Sequence, residues 1–412
     1  MIMLRKKNIQ PLYLMERIDS FSNLQTPCFI LDQEELNRSI VGFQYALQSF
    51  SQKSIIGYSV KTNSLPFCLH FAYRSGAYAE VVSFDEYNIA RKCGFEQSRI
   101  IYNGPLKSKE TILDAILNGS YVNIETKREL EWLMCLPKDK SYNIGLRLNI
   151  NISKVSPEDA DGDNDNSRFG FSDETSEFKD AIDFIMNLPN VKLAGLHIHR
   201  TAHNRSIHFY ENSIQYACDI IHKYGLELEY LDVGGGYFGI FPNKPTYLQY
   251  SEAFYRVLKK NSLEHLCIIV EPGNALVASC FSFLSEVIDV KQVEPDLWFI
   301  TTDGSRNDVD PFFRKASYLD EEFYSKVTNP VKEQIVSGCT CLEYDRLFSL
   351  KDKPLLSVGD KILYRNVGAY TMCLTPLFIR LFPNIYVKEE NDYKLIRERW
   401  TVNEYLQKSI LE

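Results

Sequence analysis

Three groups able to do chemistry stand at the ends of β-rich runs. Lys61 follows the apolar run Ile55–Val60, Gly234-Gly235-Gly236 follows Leu231-Asp232-Val233, and Glu271 closes Cys267–Val270. An unpaired lysine in a buried strand is costly and usually answers with a lowered pKa. A lysine placed there is either paired or kept for its amine, and an amine poised near neutrality suits Schiff-base chemistry. Three residues without a Cβ let backbone N–H groups approach an anion closely; the alternative is a tight turn that needs positive φ. Glu271 in Glu271-Pro272-Gly273 would either hold a ring nitrogen protonated or pair internally with Arg147.

His199 ends Leu196-His197-Ile198-His199. Histidines two apart share a strand face and could be metal ligands, but only His203 offers itself as a third donor. A flat imidazole laid against a cofactor ring, with His197 as a core histidine, fits the pattern better, and no metal is expected.

These residues need elements to carry them. Strands are expected at Ile55–Lys61, Tyr78–Ser83, Arg99–Gly104, Tyr121–Glu125, Ile144–Ile150, Lys192–His199, Glu229–Gly234 and Cys267–Glu271. Helical periodicity fits Pro66–Ser75, Phe84–Lys92, Ser108–Asn118, Lys127–Leu136, Glu174–Asn187, Ser206–Tyr224 and Tyr247–Leu263, with helix-start chemistry at Asp85-Glu86 and at Ser108. Apolar strands alternating with amphipathic helices imply parallel strands, and eight of them close a (β/α)8 barrel whose functional residues lie at the strands' C-terminal ends. Those ends read Lys61, Ser83, Asn103, Glu125, Arg147, His199, Gly234 to Gly236 and Glu271. An open doubly wound sheet would call for an early GxGxxG turn, which the sequence lacks.

After Gly273 the alternation stops. Strand-like pieces at Phe283–Val290, Leu297–Thr302, Gln334–Ser337 and Lys361–Tyr364 read as a mostly β second domain that Cys28–Leu31 is free to join. The expected domains are a barrel over 33–277 and a β domain made of 1–32 plus 278–412. Lys154–Asn166 reads as a polar loop after the fifth strand.

A net charge of -8 over 412 residues argues against a nucleic-acid partner. No apolar run approaches membrane-spanning length, and the N-terminus lacks a signal-peptide core. Ten cysteines without a CxxC pair read as reduced thiols, hence a cytoplasmic protein rather than a disulfide framework.

Taken in order, Tyr58-Ser59-Val60-Lys61-Thr62-Asn63, Gly195-Leu196-His197-Ile198-His199, Asp232-Val233-Gly234-Gly235-Gly236, Glu271-Pro272-Gly273, Cys341-Leu342-Glu343-Tyr344-Asp345 and Gly368-Ala369-Tyr370 resemble the motif series of the fold-type III pyridoxal-phosphate decarboxylases. That group includes diaminopimelate, ornithine and carboxynorspermidine decarboxylases, and the resemblance runs from about Thr26 to about Pro383. It implies that Lys61 forms the Schiff base with pyridoxal phosphate, Glu271 pairs with the pyridinium nitrogen and His199 stacks on the ring. Gly234, Gly235 and Gly236 would hold the phosphate through backbone N–H groups, with Tyr370 nearby. Cys341 would protonate the carbanion left after carbon dioxide departs. In this family that cysteine comes from the partner subunit, which implies a homodimer with shared active sites.

The chain also departs from the family pattern. Leu342 follows the cysteine where relatives acting on diamino substrates carry Asp or Glu, and Glu343 stands one place later. Asn274 replaces the Arg after Glu-Pro-Gly, and Ala202 replaces a Ser three residues after the stacking histidine. Diaminopimelate decarboxylases carry Arg before a Pro where this chain reads Asp308-Val309-Asp310-Pro311. Asp310 there would repel a distal carboxylate and reject meso-diaminopimelate. Arg200, His203, Arg306 and Arg314 are cations that could replace the lost charge. Arg147, Arg200, Asn274, Arg306 and Glu343 are therefore the candidate substrate residues.

The reading that results is a pyridoxal-phosphate-dependent decarboxylase acting on a free or carrier-tethered amino-acid-type substrate. Two alternatives stand beside it. A non-catalytic homologue that binds a partner protein is motivated by Ala202 and Asn274, and a racemase on the same fold would need a catalytic tyrosine in place of Cys341.

Overall fold

The structure, a computed structural model, describes residues 21, 23–51, 53–160, 162, 166–200, 202, 204–312, 321–324, 329–390 and 392–410. The chain divides into two compact units, Leu36–Val277 and Met1–Glu35 with Ala278–Glu412. Strand β1 (Cys28–Leu31) belongs to the second of these.

The first unit is a closed barrel of eight parallel strands. They are β2 (Ser54–Ser59), β3 (Tyr78–Ser83), β4 (Ile100–Leu106), β5 (Tyr121–Ile124), β6 (Tyr142–Arg147), β7 (Val191–His197), β8 (Tyr230–Asp232) and β9 (Cys267–Val270). β9 closes on β2 with Ser54 opposite Ile268 and Ile56 opposite Val270. Helices cover the outside of such a barrel and side chains fill its inside, so its strands read as near-continuous apolar runs. That is why all eight could be read from the sequence, with ends off by up to three residues. One difference matters: β2 ends at Ser59, and Lys61 lies in a 3-10 turn, Val60–Thr62.

Ile55, Ile101, Ala194, Tyr230 and Ile269 form one buried cluster inside the barrel. The Tyr230 ring fits there because residue 195 is glycine: a Cβ at Gly195 would stand 2.0 Å from the ring. Outside, helix Tyr247–Lys260 buries Tyr250, Phe254 and Leu258, four apart and hence on one face. Each such side chain contributes ~1.5–3 kcal/mol on burial. Thr246 and Gln249 form the capping box that starts it. Helix Phe84–Lys92 has the expected bounds, and its cap is Ser83, whose Oγ accepts the Glu86 N–H at 3.1 Å, rather than Asp85. The polar stretch after β6 contains a helical turn at Ile152–Val155 and a 3-10 turn at Pro157–Asp159.

The second unit is a nine-stranded sheet. Its further strands are β10 (Phe281–Glu294), β11 (Leu297–Thr302), β12 (Glu321–Tyr324), β13 (Pro330–Ser337), β14 (Arg346–Pro354), β15 (Lys361–Arg365), β16 (Asn384–Lys388) and β17 (Tyr393–Arg397). The main order is β14-β13-β11-β10-β1-β16-β17, with β15 pairing both β10 and β12. β1 runs antiparallel to β10 and parallel to β16. Cys28, Ile30, Leu284, Leu363 and Tyr386 pack into its core. Among the described residues, no helix is long and apolar enough to cross a membrane.

Candidate active site

The barrel gathers polar groups at the C-terminal ends of its strands. Lys61 was read as either paired or kept for its amine, and the structure pairs it. Its Nζ lies 2.7 Å from Glu80 Oε2 and 2.9 Å from Oε1, and its side chain keeps 31% exposure while that of Glu80 keeps 1%. Glu80, from the middle of β3, also accepts the Ser59 hydroxyl at 2.7 Å. A lone carboxylate inside the apolar run Tyr78–Ser83 was the one signal for it.

Glu271 is buried and does not pair with Arg147. Asn103 Nδ2 donates to Glu271 Oε1, and Asn123 Nδ2 donates to Asn103 Oδ1 at 2.8 Å. Tyr230 OH closes the chain on Asn123 Oδ1 at 2.9 Å. Arg147 instead meets Glu125 at 2.8 Å, donates to the His199 carbonyl at 3.3 Å and lies 4.7 Å from the Phe169 ring centre. Burial alone would raise the Glu125 carboxyl, but Arg147 and Lys107 outweigh it and hold it below its usual range.

Asp232 has no exposed surface, and its Oδ1 accepts the Gly234 N–H at 3.0 Å. Burial, then the neighbouring Glu271 charge, pushes its carboxyl well above the usual range. Both histidines are held neutral, chiefly by burial. Neither ring nitrogen of His197 has a hydrogen-bond partner among the described residues.

The glycine turn corrects a second expectation. The Gly234 N–H is taken by Asp232, and the Gly235 N–H donates to His199 Nδ1 at 3.0 Å. Two of the three donors expected to face a phosphate are thus committed inside the protein. What the turn supplies is room: a Cβ on Gly234 would stand 2.3 Å from His199 Nδ1, and one on Gly235 2.3 Å from the Glu271 carbonyl. Tyr237 and Tyr210 hydroxyls hold the carbonyls of Gly234 and Gly235 at 2.9 and 3.0 Å, which fixes the peptide planes.

His197, His199 and Glu271 present ligand atoms within 4.8 Å of one another. The lone pair of His199 Nδ1 already takes the Gly235 N–H, so this trio is not a ready tetrahedral metal set. Of the other barrel candidates, Arg200 lines a small cleft with Ile150, Ile198, Phe209 and Val233, and Asn274 opens the turn Asn274–Val277. Ala202 is buried. His203 and Arg314 lie outside the described residues.

A second pair escaped the sequence reading. Lys107 and Glu129 are both fully buried, 3.3 Å apart, with Lys107 Nζ donating to the Gly104 carbonyl at 2.6 Å. Burial is the main cause of a lowered Lys107 pKa. Only the fold brings these two elements together, so no local pattern announces them.

In the β unit, Cys341 is an exposed free thiol and Glu343 is exposed. Their turn is tied down by buried Asp345, which accepts the Thr340 hydroxyl at 2.6 Å and the Arg306 N–H at 2.8 Å. Arg306 pairs with Asp310 at 3.1 Å, and Arg380 pairs with Asp308. Asp310 is therefore a neutralised carboxylate and not the bare repelling charge that the sequence suggested. Tyr370 adopts a φ of 57° and packs its ring edge-on to Phe312, 6.0 Å between centres.

Comparison with known proteins gives this geometry a family. The chain is 26% identical over 417 residues to the diaminopimelate decarboxylase of Methanocaldococcus jannaschii, covering 96% of this chain and 94% of that one. To the diaminopimelate decarboxylase of Bacteroides thetaiotaomicron it is 26% identical over 386 residues, covering 90% and 98%. The crystal structure of diaminopimelate decarboxylase from M. jannaschii superposes with a TM-score of 0.82 at 25% identity, over 96% of this chain and 94% of that one. Residues 34–278 match the family model of the pyridoxal-dependent decarboxylase, pyridoxal binding domain. That span takes in every strand of the barrel, and the chain accordingly belongs to the pyridoxal-dependent decarboxylases, carboxy-lyases that use pyridoxal phosphate to remove a carboxyl group from an amino acid.

Proposed function

We propose that Lys61 carries pyridoxal phosphate and that the substrate is an amino-acid-type compound other than meso-diaminopimelate. The observation that carries the first half is the Lys61–Glu80 pair. An amine part-exposed at the barrel mouth is hydrogen-bonded to a buried carboxylate, the base nearest to it. Schiff-base formation needs the amine without its proton, and Glu80 is the proposed acceptor. The residues fit the cofactor in shape as well. Gly234 and Gly235 let the turn approach His199 and the Glu271 carbonyl more closely than any side chain would allow, and Gly236 is proposed as the N–H of the run that meets a phosphate. Neutral His199 offers a flat face, and Asn103 fixes the buried Glu271 that would hold the ring nitrogen. Bound there, pyridoxal phosphate supplies the electron sink for breaking the Cα–carboxylate bond.

Cys341 is the proposed acid, displayed on a turn that Asp345 holds. The reading includes a homodimer in which this thiol serves the partner's barrel. Exposed Leu374, Phe378 and Ile379 in the same unit support an interface there. Cys28, Cys68, Cys218 and Cys341 are free thiols, which supports a reducing, cytoplasmic setting.

Support for the second half comes from charge. Where diaminopimelate decarboxylases carry Arg before Pro, Asp310 stands here and takes Arg306 as its partner, while Arg380 is taken by Asp308. Arg306 and Arg380 are thereby engaged by internal carboxylates, so it is missing attraction from them, rather than repulsion, that disfavours such a substrate. Mass-spectrometric detection of carbon dioxide from a panel of amino acids and acyl-amino acids, free and carrier-bound, tests both halves. Release from a substrate lacking a second carboxylate, and loss of the visible Schiff-base band in Lys61→Ala, are expected. Meso-diaminopimelate as the best substrate would overturn the second half, and a protein that never takes up pyridoxal phosphate the first.

A further inference from the structure

Asp232 lies beneath the proposed ring partner, and its bonds reach both ends of the cofactor site. Its Oδ1 accepts the N–H of Gly234, the first residue of the glycine turn, at 3.0 Å. Its side chain is hydrogen-bonded to that of Glu271. Asn123 Nδ2 lies 3.4 Å from Asp232 Oδ2 and donates at 2.8 Å to Asn103, which in turn donates to Glu271 Oε1. Two carboxyl groups that are both buried and hydrogen-bonded to each other need a proton between them, because a carboxylate has no hydrogen to donate. Two bare charges at that distance in a closed site would also repel strongly.

We propose that Asp232 is a positioning residue which stays protonated and donates to Glu271, so that the pair presents one negative charge to the ring and keeps it in register with the glycine turn. The proposal rests on the assignment of Glu271 as the ring partner made above. Other titratable groups near Asp232 are Glu80 on β3, His197 opposite it on β7, Tyr230 on β8, Tyr237 after β8 and Cys267 on β9, and burial keeps His197 neutral. None of them is a cation that would stabilise an ionised Asp232. Burial and the Glu271 charge both favour the neutral form.

An asparagine imitates a protonated aspartic acid: its amide can donate to Glu271 while its oxygen accepts the Gly234 N–H. Alanine does neither. Pyridoxal-phosphate affinity of the apo-protein, followed by absorbance titration, should therefore survive Asp232→Asn within about threefold and weaken at least tenfold in Asp232→Ala. An infrared difference spectrum of the apo-protein at neutral pH, wild type minus Asp232→Asn, should show the carbonyl band of a protonated carboxylic acid. Equal loss of affinity in both variants, or no protonated-acid band, overturns the proposal. If Asp232→Ala does not fold, judged by circular dichroism, the asparagine variant and the infrared band still decide. A wild type that binds no pyridoxal phosphate would refute the cofactor assignment instead, and the infrared result on Asp232 would stand by itself.

Discussion

Lys61 Nζ and Glu80 Oε2 are 2.7 Å apart, and the carboxylate is almost wholly buried while the lysine is not. The pair is asymmetric: the acid is fixed, and the amine can swing out to a ligand. Glu80→Gln keeps a hydrogen-bonding oxygen but removes the group that takes the proton. Stopped-flow mixing of apo-protein with pyridoxal phosphate should show the visible band forming about 10- to 100-fold more slowly, with kcat lowered in similar measure. An unchanged rate would deny Glu80 this part.

Burial lifts the Glu86 carboxyl from the usual 4.5 to about 7. The folded chain then keeps a proton that the unfolded chain releases above about pH 4.5. With more protons on the native state, stability falls as pH rises through that window, by on the order of 3 kcal/mol. Glu86→Gln fixes the neutral form and retains an acceptor for the Val82 N–H. Urea midpoints of variant and wild type should agree near the acid end of the window and separate in the variant's favour towards its neutral end.

Lys107 and Glu129 have no exposed side-chain surface. Lys107→Met leaves a buried carboxylate without its cation and should cost about 3–5 kcal/mol in denaturant unfolding. The double replacement Lys107→Met with Glu129→Leu should recover part of that loss, since neither charge then remains buried. A double variant as unstable as the single one would mean that packing, not charge, dominates.

Asp345 accepts from Thr340 and Arg306 and so holds the turn bearing Cys341. Asp345→Ala should cost about 1–3 kcal/mol and lower kcat more than it raises KM, because the acid is displaced while the rest of the site is kept. Cys341→Ala should lower kcat about 100-fold. In the double variant the two losses should not add, since loosening the turn costs nothing once the thiol is gone.

Much of this could be read locally. The barrel strands announce themselves as β-branched apolar runs, and Ser108 with Thr111 marks a helix start that the structure keeps as a capping box. β14 did not announce itself, because Lys351, Asp352 and Lys353 make it look like a loop, and exposure of that stretch explains why such residues are tolerated in a strand. In the site, residue types at strand ends were legible, but their partners were not. Glu80 lies 19 residues from Lys61, and Asn103 lies 168 from Glu271. Those pairings depend on barrel closure and lateral register, which no single segment encodes. The commitment of the Gly235 N–H to His199, 36 residues away, was hidden for the same reason, whereas the Gly234 N–H is taken locally by Asp232, two residues before it.

The placement of β1 in the middle of the second sheet has a consequence for synthesis. Its four residues lie between β10, which begins at Phe281, and β16, which begins at Asn384. Translation runs from the N-terminus, and domains generally fold as they emerge. The barrel is therefore complete while β1 still lacks both neighbours, and its backbone groups must wait on the ribosome for nearly the whole message to be read. A nascent chain truncated before Asn384 would hold a finished barrel and a first strand paired with β10 on one edge but open on the other, which makes the tail of the coding sequence the step that completes the sheet.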